Sequence, residues 1–411
     1  MGNLSTPNLR FPDFNGEWIK IFLGEIAKFS KGKGISKEDI SETGETECIR
    51  YGELYTTYNE TIDTVSSKTN IDTSHLVFSE ANDVIIPASG ETEIDIAKAS
   101  CILKSGIALG GDLNIIKTPN NGVFLSYYLN SKKKIDIAKL AQGISVVHLY
   151  AGQLSKLQLK IPSLLEQQKI ASFFTAIDHK ISQLKRKKNL LEQYKKGVMQ
   201  KIFTQQISFK DDNGQEFPKW EKKKLGDVGK TYNGLTGKSK DDFGQGKPYI
   251  QYKQIFDDTR IDITRFDFVR IGDGEKQSRV RTGDVFFTTS SETPDEVGTS
   301  SVLLDEVSEV YLNSFCFGYR SSPEVLIPKF SRYLFRNELL RKEINKLSQG
   351  STRYNLSKNE LMKTVIELPS IHEQTKIANF LSSIDDKINN TRKQIEKAEV
   401  WKKGLMQQMF V

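Results

Sequence analysis

The chain has 411 residues, with 59 Lys+Arg against 52 Asp+Glu and a formal net charge of +7. That length suits two to three domains of ~100–200 residues each, and 37% apolar with 10% aromatic residues excludes a mainly disordered chain. Three scattered cysteines (Cys48, Cys101, Cys316) argue against a disulfide framework or a Cys-built zinc site, and so mild a basic charge permits a nucleic-acid partner without arguing for one. No stretch approaches the ~20 apolar residues of a membrane helix and no charged-then-apolar leader opens the sequence, so a cytoplasmic location is expected. Met1-Gly2-Asn3-Leu4-Ser5-Thr6 fits the loose myristoylation pattern, a match too short to distinguish from chance.

In chain order, a first body over 1–160 reads as mixed α and β. Asp83-Val84-Ile85-Ile86-Pro87 is a short apolar strand opened by aspartate, and Gly106-Ile107-Ala108-Leu109-Gly110-Gly111 is another strand with its turn. Val123 to Lys139 has helical spacing of apolar residues. Next, Ser163 stands three residues before Glu166 and directly after Pro162, which is a capping box at the start of a helix. Beyond it Ile177, Ile181, Leu184, Lys188, Leu191, Lys195, Val198 and Ile202 alternate spacings of four and three, a coiled-coil seam interrupted by lysines. About 40 residues without proline make a rod of ~60 Å. Ile202 to Pro218, including Asp211-Asp212-Asn213-Gly214, is polar and turn-rich and forms a boundary.

The second body, 211–367, repeats the plan. Asp284-Val285-Phe286-Phe287-Thr288 and Val310-Tyr311-Leu312-Asn313-Ser314-Phe315 are its strands, and Pro328 to Leu347 its helical stretch. Pro369-Ser370-Ile371-His372-Glu373-Gln374-Thr375-Lys376-Ile377-Ala378 copies Pro162-Ser163-Leu164-Leu165-Glu166-Gln167-Gln168-Lys169-Ile170-Ala171 at an offset of 207. Ile384, Ile388, Thr391, Ile395, Ala398, Lys402, Leu405 and Met409 form the second seam. Upstream, Gln142-Gly143 matches Gln349-Gly350 at the same offset, while Trp18 and Trp220 align at 202 and Ile49, Tyr51 and Ser89 align with Ile250, Tyr252 and Ser290 at 201. The helical ends are near copies; the bodies share a framework and differ in detail. The expected fold is α+β: two tandem mixed α/β domains, each followed by a long helix. Matching registers favour an antiparallel coiled coil of the two helices with pseudo-two-fold symmetry, over each helix packing only on its own body.

Several fragments imitate enzyme motifs and fail where the chemistry is decided. Gly234-Leu235-Thr236-Gly237-Lys238-Ser239 ends like a P-loop, but Tyr232 occupies the place of its first glycine. His372-Glu373-Gln374-Thr375-Lys376 has Lys376 where a zinc protease needs its second imidazole. No Pro-Pro pair supplies the loop that holds a flipped adenine, and no Gly-x-Ser-x-Gly is present. Catalysis and metal binding by this chain are therefore not expected.

The recurring Pro-Ser-Leu-x-Glu-Gln-x-Lys-Ile-Ala-x-Phe…Ile-Asp-x-Lys-Ile, followed by a heptad helix, resembles the conserved region of type I restriction-modification specificity subunits. The Gln-Gly loops (Ile144 to Leu149 and Ser351 to Leu356) and the Trp-x5-Gly starts at Trp18 and Trp220 are similar to that family as well. Leu165 and His372 stand where related chains often have apolar residues or proline. The resemblance implies target-recognition domains at 1–160 and 211–367, with conserved helical regions at 161–210 and 368–411. Each domain would bind one half of a bipartite, asymmetric site in double-stranded DNA, with the gap set by the coiled coil. It also implies docking of two modification (methyltransferase) subunits that use S-adenosylmethionine, and of restriction subunits that use ATP and Mg, with no cofactor on this chain. The competing readings are a stand-alone two-domain DNA-binding regulator without enzyme partners, and a coiled-coil scaffold.

Candidate DNA contacts follow from chemistry and position. Arg50, Tyr51 and Glu53, with Gln251, Tyr252 and Lys253, close a short strand in each body and offer groove-reaching groups. The turns Ser89-Gly90-Glu91-Thr92 and Ser290-Ser291-Glu292-Thr293 offer hydroxyls and a carboxylate suited to cytosine N4, although capping the turn explains Ser89 and Ser290 equally well. Gln142, Gly143, Ser145 and His148, with Ser351, Thr352, Arg353, Tyr354 and Asn355, occupy the Gln-Gly loops, where backbone approaches DNA closely. Lys31, Lys33, Lys238 and Lys240 are candidates for phosphate contacts. Lys180, Lys185, Arg186, Lys187, Lys188, Lys195, Lys196 and Lys201 concentrate positive charge on the first long helix against Glu192, as a solvated face or as a surface for partner or DNA.

Overall fold

The strands opened by aspartate become the centres of equivalent sheets. In the computed structural model, which describes residues 6–411, Val84–Pro87 is buried throughout, between Leu113–Lys117 and Ser100–Ile102, both antiparallel to it. Lys28–Lys31 and Thr61–Ile62 extend this sheet to five strands. In the second half Val285–Thr288 lies between Cys316–Ser321 and Ser300–Val302, with Gly229–Asn233 beyond. Unbroken apolar runs suit strands covered on both faces. The aspartates close the preceding turns: Asp83 Oδ2 accepts from the Glu80 N–H and Asp284 Oδ2 from the Arg281 N–H, each at 2.8 Å. A smaller sheet packs in each body, built on Thr46–Ile49 with Ala108–Leu109, and on Phe243–Ile250 with Tyr311–Leu312. Met1 to Ser5, which carry most of the lipidation-like opening, lie outside the described residues.

Each helical stretch of the bodies is two helices rather than one. Val123 to Lys139 divides into Gly122–Ser131 and Lys134–Ala138, and Pro328 to Leu347 into Pro328–Leu334 and Glu338–Lys346. Asn337 explains the second break. Its side chain accepts from the Leu340 N–H at 3.0 Å and so begins a new helix.

The repeated motif ties each long helix to its body. Ile19–Phe22 pairs antiparallel with Gln158–Ile161, and Glu221–Lys224 with Val365–Leu368, so the start and end of each body meet beside the helix start. Ser163 Oγ accepts from the Glu166 N–H at 3.4 Å and Ser370 Oγ from the Glu373 N–H at 3.3 Å, which is the serine half of the capping box. The glutamate carboxylates reach elsewhere. Glu166 takes both arms of Arg10, at 2.7 and 2.6 Å, and the Trp18 indole at 3.4 Å; Glu373 takes the Trp220 indole at 3.2 Å. The next residue works on the loops: Gln167 Nε2 donates to the Pro162 carbonyl and Gln374 Nε2 to the Pro369 carbonyl, both at 3.0 Å. Gln167 Oε1 also accepts from Asn121 N–H at 3.1 Å and Gln374 Oε1 from Ile327 N–H at 2.9 Å.

The long helices are Leu164–Phe203 and Ile371–Met409. Two compact units divide them part-way: one holds the chain up to Arg186 together with Arg392–Val411, the other Lys187–Thr391. In the first unit Ile177 and Ile181 share a core with Met409, Ala398 and Leu405, and Leu184 and Ile395 are buried too. Ion pairs fix the direction: Lys185 meets Glu399 at 2.6 Å and Asp178 meets Lys402 at 2.7 Å, so a fall along one helix is a rise along the other. The helices are antiparallel. In the second unit Ile384 packs with Ile202, Val198 and Ile388, while Leu191 is half-buried.

Two of the lysines that interrupt the seams, Lys402 and Lys195, are therefore part of them. Lys402 Nζ lies 2.7 Å from Asp178 and 2.9 Å from Glu60, over the Tyr127 ring, and the Tyr127 hydroxyl donates to Asp178 at 2.5 Å. In the other unit Lys195 Nζ lies 2.6 Å from Asp385 over the Tyr333 ring, and the Tyr333 hydroxyl donates to Asp385 at 2.8 Å. Burial pulls the Lys402 pKa down, but Glu60 and Asp178 outweigh it and the net shift is upward. Of the other cations on the first long helix, Lys185, Lys188 and Lys196 also meet acids, namely Glu399, Glu192 and Glu338.

Candidate nucleic-acid interface

In each unit three of the groups singled out from sequence come together. Val147–His148 pairs antiparallel with Ser89–Gly90, and Tyr354–Leu356 with Ser290–Ser291, so each Gln-Gly loop lies against its Ser turn. The short helices Glu53–Thr56 and Tyr252–Asp257 bring the third group. The Tyr55 hydroxyl donates to the Ser89 carbonyl at 2.6 Å, and the Tyr252 hydroxyl to the Ser290 carbonyl at 2.8 Å. Burial pushes the pKa of both phenols up, which keeps them protonated donors.

A glycine sets the shape of each loop. Gly143 has φ +137° and a Cβ there would lie 2.0 Å from the Val146 carbonyl oxygen; Gly350 has φ +135° and its Cβ would lie 2.2 Å from that of Arg353. Neither position admits a side chain. On this shared backbone the side chains differ: Ile144, Ser145 and Val146 in the first unit, Ser351, Thr352 and Arg353 in the second.

The site residues divide by what they already touch. Tyr51, Glu91, Thr92, Gln142, Gly143, Ser145, Lys31 and Lys33 are exposed in the first unit, as are Lys240, Lys253, Glu292, Thr293, Ser351, Thr352, Arg353 and Asn355 in the second. Thr92 also caps Glu93–Ile96, accepting from the Asp95 N–H at 3.1 Å. Arg353 Nε donates to Ser290 Oγ at 3.3 Å, which holds the guanidinium across the strand pair, and Tyr354 beside it is half-buried. His148 is half-buried and stacks on Tyr150, with ring centroids 6.2 Å apart, and Lys31 Nζ sits 5.8 Å from the centroid of the Tyr150 ring. Arg50 is half-buried and its N–H donates to Glu53 Oε2 at 2.6 Å. Glu53 is buried and also accepts from the Ser67 hydroxyl.

Other members are engaged within the fold. Ser89, Gly90, Ser290 and Ser291 are buried strand residues, and Ser291 Oγ donates to Glu296 at 2.6 Å. Gln251 Nε2 donates to Asp267 at 3.0 Å. Lys238 is largely buried and paired with Glu275 at 2.6 Å. Hydrogen bonds from Lys238, Gln277 and the Gly272 N–H lower the Glu275 pKa to about 2. Two exposed aliphatic residues, Ile144 and Val146, were not among the site residues chosen from sequence. Periodicity gives no signal for an apolar side chain on a loop tip; its exposure is what marks it.

Among the described residues no group of three or more His, Cys, Asp or Glu could hold a metal ion, and no helix is long and apolar enough to cross a membrane. What the two units present is paired loops on a common frame. The family model described as "Type I restriction modification DNA specificity domain" matches twice, over residues 15–193 and 218–400. The chain belongs to this family and is a DNA specificity subunit of a type I restriction-modification system, a non-catalytic component of that system. It is 26% identical to the type I restriction enzyme MjaVIII specificity subunit of Methanocaldococcus jannaschii, over 97% of this chain and 92% of that protein. Its fold is similar to the crystal structure of a type I restriction-modification S subunit from M. genitalium, with a TM-score of 0.61 at 15% identity and 99% of each chain covered. A second similar structure comes from work on complex assembly and conformational transition of the type I R-M system, with a TM-score of 0.56 at 17% identity, over 96% of this chain and 97% of that one.

Proposed function

We propose that this subunit reads a bipartite, asymmetric site in double-stranded DNA, one half-site for each of two target-recognition domains, 1–160 and 211–367. The conserved regions 161–210 and 368–411 then set the gap between half-sites and dock two modification subunits, to which restriction subunits are added. S-adenosylmethionine, ATP and Mg are assigned to those partners, and the complex to the cytoplasm. The observation that carries this reading is the same three-loop arrangement in both units, bearing different side chains on equivalent backbone. One frame with two chemistries suits two different half-sites, whereas a symmetric dimer would be limited to a palindrome. The bases themselves are read by side chains such as Arg353, while exposed lysines such as Lys31, Lys33 and Lys240 position the duplex.

The test is a methylome of a strain that expresses the chain with a cognate modification subunit. It reports both half-sites, the gap and the modified base together. Adenine methylation at two short sequences separated by a fixed spacer is expected. A continuous or palindromic methylated motif, or none, refutes the reading.

A further inference from the structure

The hairpin tip of the first unit carries an apolar side chain with nothing on it. Ile144 is 101% exposed and Val146 50% exposed, between the two arms that lead to Ser89–Gly90. The arms close tightly: the Gln142 N–H donates to the His148 carbonyl at 2.9 Å, and the His148 N–H to the Gln142 carbonyl at 2.7 Å. With Gly143 fixed at φ +137°, the backbone that presents Ile144 is determined by the fold. The second unit builds the same tip around Gly350 and places Ser351 and Arg353 where the first has Ile144 and Val146. Folding thus accepts either chemistry, and the choice reflects what the tip meets.

We propose, building on the DNA-recognition reading above, that Ile144 is a specificity-determining residue that reads the 5-methyl group of a thymine in the major groove. That methyl is the apolar group a base pair shows at its major-groove edge, and aliphatic contact is how side chains recognise it. The surroundings suit a duplex. Lys31 lies over Tyr150, which stacks on His148, so a cation and two rings stand at the base of the tip. The side chains of Ile144 and Val146 offer no hydrogen bond, so what they can distinguish in thymine is the methyl.

The probe is a duplex carrying the mapped bipartite site, in which each thymine in turn is replaced by deoxyuridine, which lacks only the methyl. Binding of the full chain is measured by fluorescence anisotropy. At one thymine of one half-site, the replacement is expected to weaken wild-type binding roughly fourfold, the worth of one buried methyl-sized group. Ile144→Ala is expected to bind the thymine and deoxyuridine duplexes alike while its discrimination at the other half-site is unchanged, which also reports that the variant is folded. Ile144→Val is expected to fall between. The inference is overturned if no thymine is sensitive, or if Ile144→Ala retains the fourfold difference. Failure to bind any bipartite duplex overturns the DNA-recognition reading itself, and this inference with it.

Discussion

Removing one heptad from each long helix, residues 182–188 and 389–395, is expected to shorten the recognised gap by about three base pairs. Seven residues span ~10 Å of α-helix, and successive base pairs rise ~3.4 Å. The seam rotates by only ~20° over a heptad, so the flanking apolar positions still face one another. Both polar stations survive, because Asp178–Lys402 lies on one side of the deleted stretches and Lys195–Asp385 on the other. About 25 Å of helix separates Asp178 from Lys195 in the wild type, and the paired deletion shortens both helices equally. Deleting 182–188 alone displaces Lys195 from Asp385 by ~10 Å once Asp178 and Lys402 are in register. One station must then break, at a cost of about 3 kcal/mol for removing a partner from a mostly buried pair. The paired variant loses Leu184 and Ile395, both buried, and its Tm is expected to fall, but by less than that of the single deletion. Methylome sequencing measures the gap and thermal melting the stability. An unchanged gap, an altered half-site, or a single deletion as stable as the paired one refutes the reasoning.

Four further outcomes follow from particular contacts. Glu166→Gln removes one side of the Arg10 fork, whose two side chains are 14% and 1% exposed, and is expected to cost about 3 kcal/mol by urea unfolding. Glu373→Gln keeps an acceptor for Trp220 and removes a buried charge, so it is expected to be neutral or stabilising. Burial raises the Glu373 pKa, against a smaller lowering by the Trp220 indole. The charge penalty is therefore absent below the unfolded value near ~4.3 and fully present above the raised folded value, so a gain from Glu373→Gln should grow as pH rises through that window and hold at neutral pH. A gain largest at acid pH contradicts this. Gly350→Ala places a Cβ 2.2 Å from the Arg353 carbonyl oxygen; a stability loss of about 1–3 kcal/mol and loss of one half-site are expected, and wild-type DNA binding refutes the obligatory turn. Arg353→Ala is expected to lose ~1–3 kcal/mol of discrimination at one base of one half-site; an equal loss on all sequences would make Arg353 a phosphate contact instead.

The duplication made the frame legible, since a repeat needs no knowledge of long-range contacts. Strand centres at Val84–Pro87 and Val285–Thr288 and both long helices could be read from local pattern. Helix breaks could not be placed, because Asn337 reads as one more residue in an apolar-periodic stretch until its side chain is seen on the Leu340 N–H. The site was legible as groups but not as individual side chains. Gly143 and Gly350 mark their loops in sequence, yet Glu53 and Lys238 look as available as Arg353. Their partners, Ser67 and Glu275, lie 14 and 37 residues away. Charge on a loop gives a candidate; only the fold says whether another side chain has already taken it.

The seam shows why polar residues persist inside an otherwise apolar helix contact. Asp178 and Lys402 in one unit correspond under the 207-residue offset to Asp385 and Lys195 in the other. Each helix thus carries one acid and one base, and the antiparallel arrangement satisfies both at once. In a parallel arrangement with the repeats in register, Asp178 would face Asp385 and Lys195 would face Lys402, two like-charge contacts in a largely desolvated seam. A one-heptad slip would leave both lysines opposite alanines (Ala171 and Ala378) in one direction and opposite cations (Lys185 and Arg392) in the other. Leucines at the same places would pack in any of these arrangements, and replacing buried ion pairs by apolar residues often leaves stability unchanged or higher. What the pairs contribute is therefore direction and register, as polar groups at seam positions do in coiled coils. The proposed setting of a DNA gap by helix length requires both, because a slip of one heptad would move the recognition loops by about three base pairs.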